Sequence, residues 1–174
     1  QFGKKAYITK ATSQLMRDLG SIPSPNNCFL LNIGLETLPL RMERHCSNAQ
    51  KTAEFLASHE KVSKVIYPGL PGDKYHALAE KYLPNGSCGV ISFELEGGRE
   101  AAVRFMDSLE LANICTHVAA SKTMVLHPAS HTHRQMNDEQ LREAGVSPGM
   151  IRLSVGIEHI DDILADLEKA LKNA

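Results

Sequence analysis

The run Ile151-Arg152-Leu153-Ser154-Val155-Gly156-Ile157-Glu158 constrains the fold more than any other stretch of this chain. Four aliphatic residues alternate there with arginine, serine, glycine and glutamate. Successive side chains of a β-strand point to opposite faces, so the pattern predicts a strand with its aliphatic side on a core and Arg152 on the other side. A guanidinium mounted on a strand is a rigid fork suited to a carboxylate. Such a strand needs a sheet that is covered on one face and leaves room on the other.

The other segments supply the covering layer. A first helix is expected from Gly3 to Leu19, ending at Gly20, and the two prolines and two asparagines of residues 21–27 predict a loop. Leu35, Leu38, Met42, His45, Ala49, Thr52 and Leu56 step by three and four, which makes one continuous stripe along a helix. Pro39 should kink that helix or mark the first turn of a second one. His45 is read as a satisfied histidine at a helix interface rather than a ligand.

Strands are predicted at Val62–Tyr67, Gly89–Leu95, Cys115–Val118 and Met124–His127, with helices from Tyr75 to Tyr82, after Gly97-Gly98, from Glu139 to Ala144 and over the last fifteen or so residues. Asn137-Asp138 is the expected cap of the third of these, and the acidic start (Asp161-Asp162) and basic end (Lys169, Lys172) of the last suit the helix dipole. Irregular alternation with one-sided strands predicts a two-layer α/β domain, a mainly antiparallel sheet with helices on one face.

Composition narrows the function. The chain has 174 residues, 43% of them hydrophobic, and a net charge of −1, which suits one domain with a real core and gives no basic surplus for nucleic acid. No apolar run approaches the ~18–20 residues that span a bilayer. With no basic-then-apolar leader at Gln1, a cytoplasmic protein without a membrane partner is expected. The four cysteines are spaced by 18, 42 and 27 residues without a C-x-x-C pair, and read as reduced, mostly buried thiols. Helical pattern begins within a few residues of Gln1-Phe2-Gly3, which suggests a piece of a longer protein.

Few motifs compete for the chemistry. His127, His131 and His133 have a spacing that a loop zinc site tolerates, but no fourth ligand is evident, so no metal is expected. Thr123 precedes the strand that ends in His127; its hydroxyl suits orienting an anion as well as an ordinary strand position. Neither a phosphate-binding glycine loop nor a G-x-S-x-G elbow is present.

The motifs taken together resemble the C-terminal part of the Cys/Met metabolism enzymes that depend on pyridoxal phosphate. The matching pieces run in order along nearly the whole chain: Ser24-Pro25; Gly34 to His45; Asn48-Ala49; Val65-Ile66-Tyr67-Pro68-Gly69-Leu70; Lys122-Thr123 through His127-Pro128-Ala129-Ser130; Thr132-His133; Ala144 to Gly149; and Ile151 to Glu158, followed by Asp161-Asp162-Ile163. Lys122-Thr123 and Thr132-His133-Arg134-Gln135 look most like the O-acetylhomoserine sulfhydrylases, where cystathionine synthases and lyases usually show Glu-Ser.

The resemblance implies the small C-terminal domain of a type I pyridoxal-phosphate enzyme, aspartate aminotransferase-like, at residues 26–174, with residues 1–25 as the tail of the large cofactor domain and an interdomain hinge. It implies γ-replacement on a homoserine ester by sulfide or a thiol, an α-carboxylate held by Arg152 with Thr123 beside it, and a homo-oligomer. The family's cofactor lysine, its aspartate for the pyridine nitrogen and its phosphate loop belong to the N-terminal domain and have no match here, so this polypeptide alone is expected to be inactive. A cystathionine γ-synthase or lyase, and a free-standing binding module, are the alternatives.

Overall fold

The structure is a computed structural model that describes residues 3–174; the expected start at Gln1-Phe2 lies outside them. Contacts divide the chain into two compact units, Gln1–Pro39 and Leu40–Ala174.

In the first unit the expected helix forms as a 3-10 turn (Gly3–Lys5), α1 (Ala6–Lys10), a π-helical stretch (Ala11–Met16) and α2 (Arg17–Leu19). It stops at Gly20, whose φ of 66° is the left-handed closure that glycine makes without steric cost. The loop expected over residues 21–27 is shorter, because α3 spans Pro25–Glu36. Ser24 Oγ accepts from the Asn27 N–H at 3.2 Å, and Pro25 sits where the first turn has no use for its missing donor. Phe29, Leu30, Leu31, Ile33 and Leu35 of α3 are all exposed, as is most of this unit.

Thr37 separates α3 from α4 (Leu38–Ser58), so Pro39 marks the first turn of a second helix. The expected stripe is covered over only part of its length: His45, Ala49, Thr52 and Leu56 are buried, whereas Leu35, Leu38 and Met42 are exposed.

The second unit is built on a five-stranded sheet in the order β1-β2-β5-β4-β3. The strands are β1 (Val62–Ile66), β2 (Val90–Leu95), β3 (Asn113–Ile114), β4 (Met124–Leu126) and β5 (Met150–Ser154). Every pairing is antiparallel except β3 with β4. The third strand lies earlier than the expected Cys115–Val118, because only Asn113 and Ile114 align with Met124 and Val125 before the chain leaves the ladder. The remaining helices are α5 (His76–Tyr82), α6 (Gly98–Asp107), α7 (Asp138–Glu143) and α8 (Ile160–Asn173). Asn137 caps α7 in a reciprocal box with Gln140, and Gly145 follows at φ 78°.

Register sorts the two faces. Ile91 lies opposite Leu153, Phe93 opposite Ile151 and Val125 opposite Leu153, and all five are fully buried. They form one core with Ala49, Ala53 and Leu56 of α4, Ala102 and Phe105 of α6, and Ile163, Leu167 and Leu171 of α8. Phe93 meets Phe105 edge-on with ring centroids 5.7 Å apart. The opposite face carries the row Ile66, Ser92, Arg152, Leu126 across four strands.

Contrary to expectation, none of the cysteines is buried: Cys28 is exposed on α3, and Cys46, Cys88 and Cys115 are half-buried at the margins of the second unit. No helix among the described residues is long and apolar enough to cross a membrane.

Candidate functional site

Arg152 occupies the central strand of the sheet, on the face away from the helices, as the alternation predicts. Its Nη2 donates to the Thr116 carbonyl at 2.7 Å, while its buried Nε has no hydrogen-bond partner. No carboxylate among the described residues pairs with it. A half-buried guanidinium with an unsatisfied N–H is costly unless something anionic meets it, because neither water nor protein compensates the lost solvation.

Beyond Ser154 the strand leaves the ladder and is tied down from both sides. From α4, His45 Nδ1 donates to the Val155 carbonyl at 2.7 Å, and Asn48 Nδ2 reaches the carbonyls of Gly156 (3.0 Å) and Glu158 (2.9 Å). His45 is thus the satisfied interface histidine expected, and Asn48, one step off the same stripe, does as much of the holding.

On the other side lies the segment 116–123. Ala119 donates its N–H to Ser154 Oγ at 2.9 Å, and the Ser121 carbonyl accepts from the Ile157 N–H at 2.9 Å. Ala119 sits at φ 60°, a conformation that costs a residue with a Cβ about 1–2 kcal/mol and that persists where surrounding contacts fix it.

Thr123 is fully buried just ahead of β4. Its backbone N–H and its hydroxyl donate to the two carboxylate oxygens of Glu158, at 2.6 and 2.9 Å, and its Oγ1 accepts from the Gly156 N–H at 2.9 Å. The two candidate residues therefore belong to one structure, the β5 end and the segment laced to it, but the Thr123 hydroxyl proton is already given to Glu158. Sequence reasoning missed Glu158, Ser154 and Asn48. All three lie within the family-like runs Asn48-Ala49 and Ile151 to Glu158, which was the signal that could have found them.

The histidine-rich segment is structural around its first member. His127 is fully buried; its Nε2 donates to the Pro148 carbonyl at 2.8 Å and its Nδ1 accepts from Ser130 Oγ at 2.8 Å. Burial lowers its pKa, so the neutral ring persists with both nitrogens engaged. His131 Nδ1 donates to the His127 carbonyl at 3.1 Å. No group of three or more metal-ligating side chains occurs among the described residues.

A cleft of about 580 Å³ lies elsewhere in this unit, between α4 and α5, lined by Cys46, Tyr67, His76, Glu43 and Glu80 among others. Its lining holds two glutamates and no lysine or arginine, so it is the wrong electrostatic environment for a carboxylate.

Arg152 thus stands on the sheet face away from the helices with no carboxylate partner among the described residues. The chain belongs to the Cys/Met metabolism pyridoxal-phosphate-dependent enzymes, whose family model matches residues 2–172. It is 52% identical to the O-acetyl-L-homoserine sulfhydrylase of Leptospira meyeri, over 97% of this chain and 38% of that protein. It is 47% identical to the homocysteine synthase of Schizosaccharomyces pombe, over 99% of this chain and 40% of that protein. The fold matches a Campylobacter jejuni crystal structure, described as an O-acetylhomoserine (thiol)-lyase with a pyridoxyl-lysine monophosphate, with a TM-score of 0.85 and 41% identity over 94% of this chain and 39% of that one. The chain thus spans about two-fifths of the length of the relatives it matches.

The residues present do not by themselves hold that cofactor. Lys61 is the only lysine among the described residues that is not exposed, and its Nζ donates to the carbonyls of Lys172 and Ala174. A lysine that bonds a cofactor needs a buried, unengaged amine.

Proposed function

We propose that this chain is the substrate-carboxylate part of a pyridoxal-phosphate-dependent transferase that makes homocysteine or methionine from O-acetylhomoserine and sulfide or a thiol. The observation that carries the proposal is Arg152, a cation with a buried Nε lacking a partner and no acid of its own. The names of the relatives support the reaction class.

Pyridoxal phosphate, when bound, supplies the electron sink for the substrate's bond changes. The protein's part here is binding and orientation. Arg152 takes the α-carboxylate in a charge-assisted fork and so fixes the rotation of the amino acid about its α-carbon. Thr123 belongs to the same site by fixing the segment that borders the arginine. Ser92 and Leu126, the cross-strand neighbours of Arg152, flank it on the sheet.

In this reading residues 1–25 are the tail of a larger cofactor domain with its linker, residues 26–174 are the small domain, and the cofactor is held mainly by the larger domain. The exposed Phe29, Leu30, Leu31, Ile33 and Leu35 of α3 support a covering partner, since a helix apolar on several sides is ordinarily buried. The chain alone is then inactive, and the full protein is a homo-oligomer in the cytoplasm.

The test is Arg152→Lys in the full-length protein. Loss of the fork should lower kcat/KM for O-acetylhomoserine with sulfide by about 2–4 kcal/mol, mostly through KM. A variant that keeps the wild-type kcat/KM removes Arg152 from the role.

A further inference from the structure

We infer that Glu158 is a positioning residue for the arginine site: its carboxylate latches the 116–123 segment, through Thr123, onto the end of the strand that carries Arg152. The inference rests on the reading of Arg152 as the carboxylate ligand and adds a residue that does not itself touch substrate.

The geometry is that of a closed hydrogen-bonded ring. Gly156 N–H donates to Thr123 Oγ1, the Thr123 hydroxyl donates to Glu158 Oε2, and Thr123 N–H donates to Glu158 Oε1. Gly156 and Glu158 are only two residues apart, so the turn between them closes on Thr123 like a clasp. A carboxylate suits this place because it accepts on both oxygens and donates on neither. Gly156 is required by the same closeness, since a Cβ there would stand 2.5 Å from the Thr123 nitrogen and 2.6 Å from the Lys122 carbonyl carbon.

The latch reaches Arg152 through the segment it holds. The Thr116 carbonyl is the acceptor of Arg152 Nη2; Thr116 is exposed, its neighbour Cys115 donates its N–H to the Val125 carbonyl of β4 at 3.0 Å, and beyond Thr116 the segment is held by its ties to β5 and the turn after it. Those ties are Ala119 to Ser154, Ser121 to Ile157 and Thr123 to Glu158. Of these, only the Glu158 ties are charge-assisted, the class of hydrogen bond roughly twice as strong as a neutral one. Asn48, bonded to the Glu158 carbonyl, holds the backbone of the turn from the opposite side. Releasing the latch loosens the far end of the segment, leaving Thr116 to shift about the Cys115 tie and the guanidinium with it, and a misplacement on the order of 1 Å is enough to cost binding.

The experiment uses the full-length holoenzyme and two unreactive probes, L-norleucine and n-pentylamine, which is the same molecule without its carboxylate; binding is followed by cofactor absorbance. Glu158→Gln and Thr123→Val should each weaken L-norleucine about tenfold and leave n-pentylamine within about twofold. The double variant should be little worse than either single one, as residues acting through one network are not additive. Thr123→Ser, which keeps the hydroxyl, should restore L-norleucine affinity to within about threefold of wild type. Parallel loss of both probes, or a lower melting temperature with unchanged L-norleucine affinity, reduces Glu158 to a stability role and overturns the inference. Arg152→Lys is run alongside. If it loses L-norleucine selectively while Glu158→Gln loses neither probe, only the latch fails; if it does not discriminate, the carboxylate reading fails and the latch with it.

Discussion

Gly156 offers the sharpest test of how tightly the arginine strand is clasped. Its substitution by alanine places a methyl group 2.5 Å from the Thr123 nitrogen and 2.6 Å from the Lys122 carbonyl carbon, where an ordinary Cβ contact is above 3.4 Å. Both atoms are backbone, so the neighbour cannot swing away as a side-chain tip would, and one of the two segments must move by nearly 1 Å. Overpacking of this kind costs about 1–3 kcal/mol. The same displacement breaks at least one bond to the Glu158 carboxylate, which adds about 1.5–2 kcal/mol. Gly156→Ala should therefore lose about 2.5–5 kcal/mol of unfolding free energy in urea titrations of the full-length protein followed by circular dichroism. Gly72→Ala is the control, because a Cβ there meets nothing within 4 Å and its backbone is not left-handed. That variant should stay within about 0.5 kcal/mol of wild type or gain slightly. A Gly156→Ala protein as stable as the Gly72→Ala protein refutes the clasp as described.

Two further outcomes follow from groups outside the site. His127 is held neutral by burial, so its folded pKa lies below its unfolded one; its contribution to stability is complete above the unfolded value and is lost as pH falls toward the folded one. The stability difference between wild type and His127→Gln should thus shrink between about pH 7 and pH 5, and a difference that stays flat across that range contradicts the assignment. Asp166 accepts the backbone N–H groups of Glu110 and Ala112, at 2.8 and 2.9 Å, and closes the connection between α6 and β3. Asp166→Ala leaves two donors without an acceptor and should cost about 2–4 kcal/mol in the same titration, against less than half that for Asp166→Asn, which keeps one acceptor.

The sheet was legible where a single strand carries its own pattern. Ile151, Leu153 and Val155 announced a covered face and placed Arg152 opposite it, and Ile91, Phe93 and Leu95 did the same for β2, because burial on one face writes a period of two into the sequence. Pro25 was misread as a loop residue because its helix-starting role depends on Ser24 acting as a cap, and the helix it opens has no one-sided apolar pattern to announce it. β3 was misplaced because a two-residue edge strand is defined by its partner, not by its own composition.

The site divides along the same line. Arg152 stood out as a charge within an apolar alternation. The pairing of Thr123 with Glu158 joins residues 35 positions apart and leaves no periodic trace. Glu158 itself looked like the polar member of a strand pattern, although the strand ends at Ser154.

The central claim is that Arg152 holds the substrate's α-carboxylate, and the most direct measurement is a crystal structure of the full-length holoenzyme with L-norleucine bound. The account predicts a carboxylate oxygen about 2.7–2.9 Å from Arg152 Nε or its free terminal nitrogen, with the Thr116 and Glu158 contacts intact. A carboxylate bound by other residues, with Arg152 Nε still lacking a partner, contradicts it.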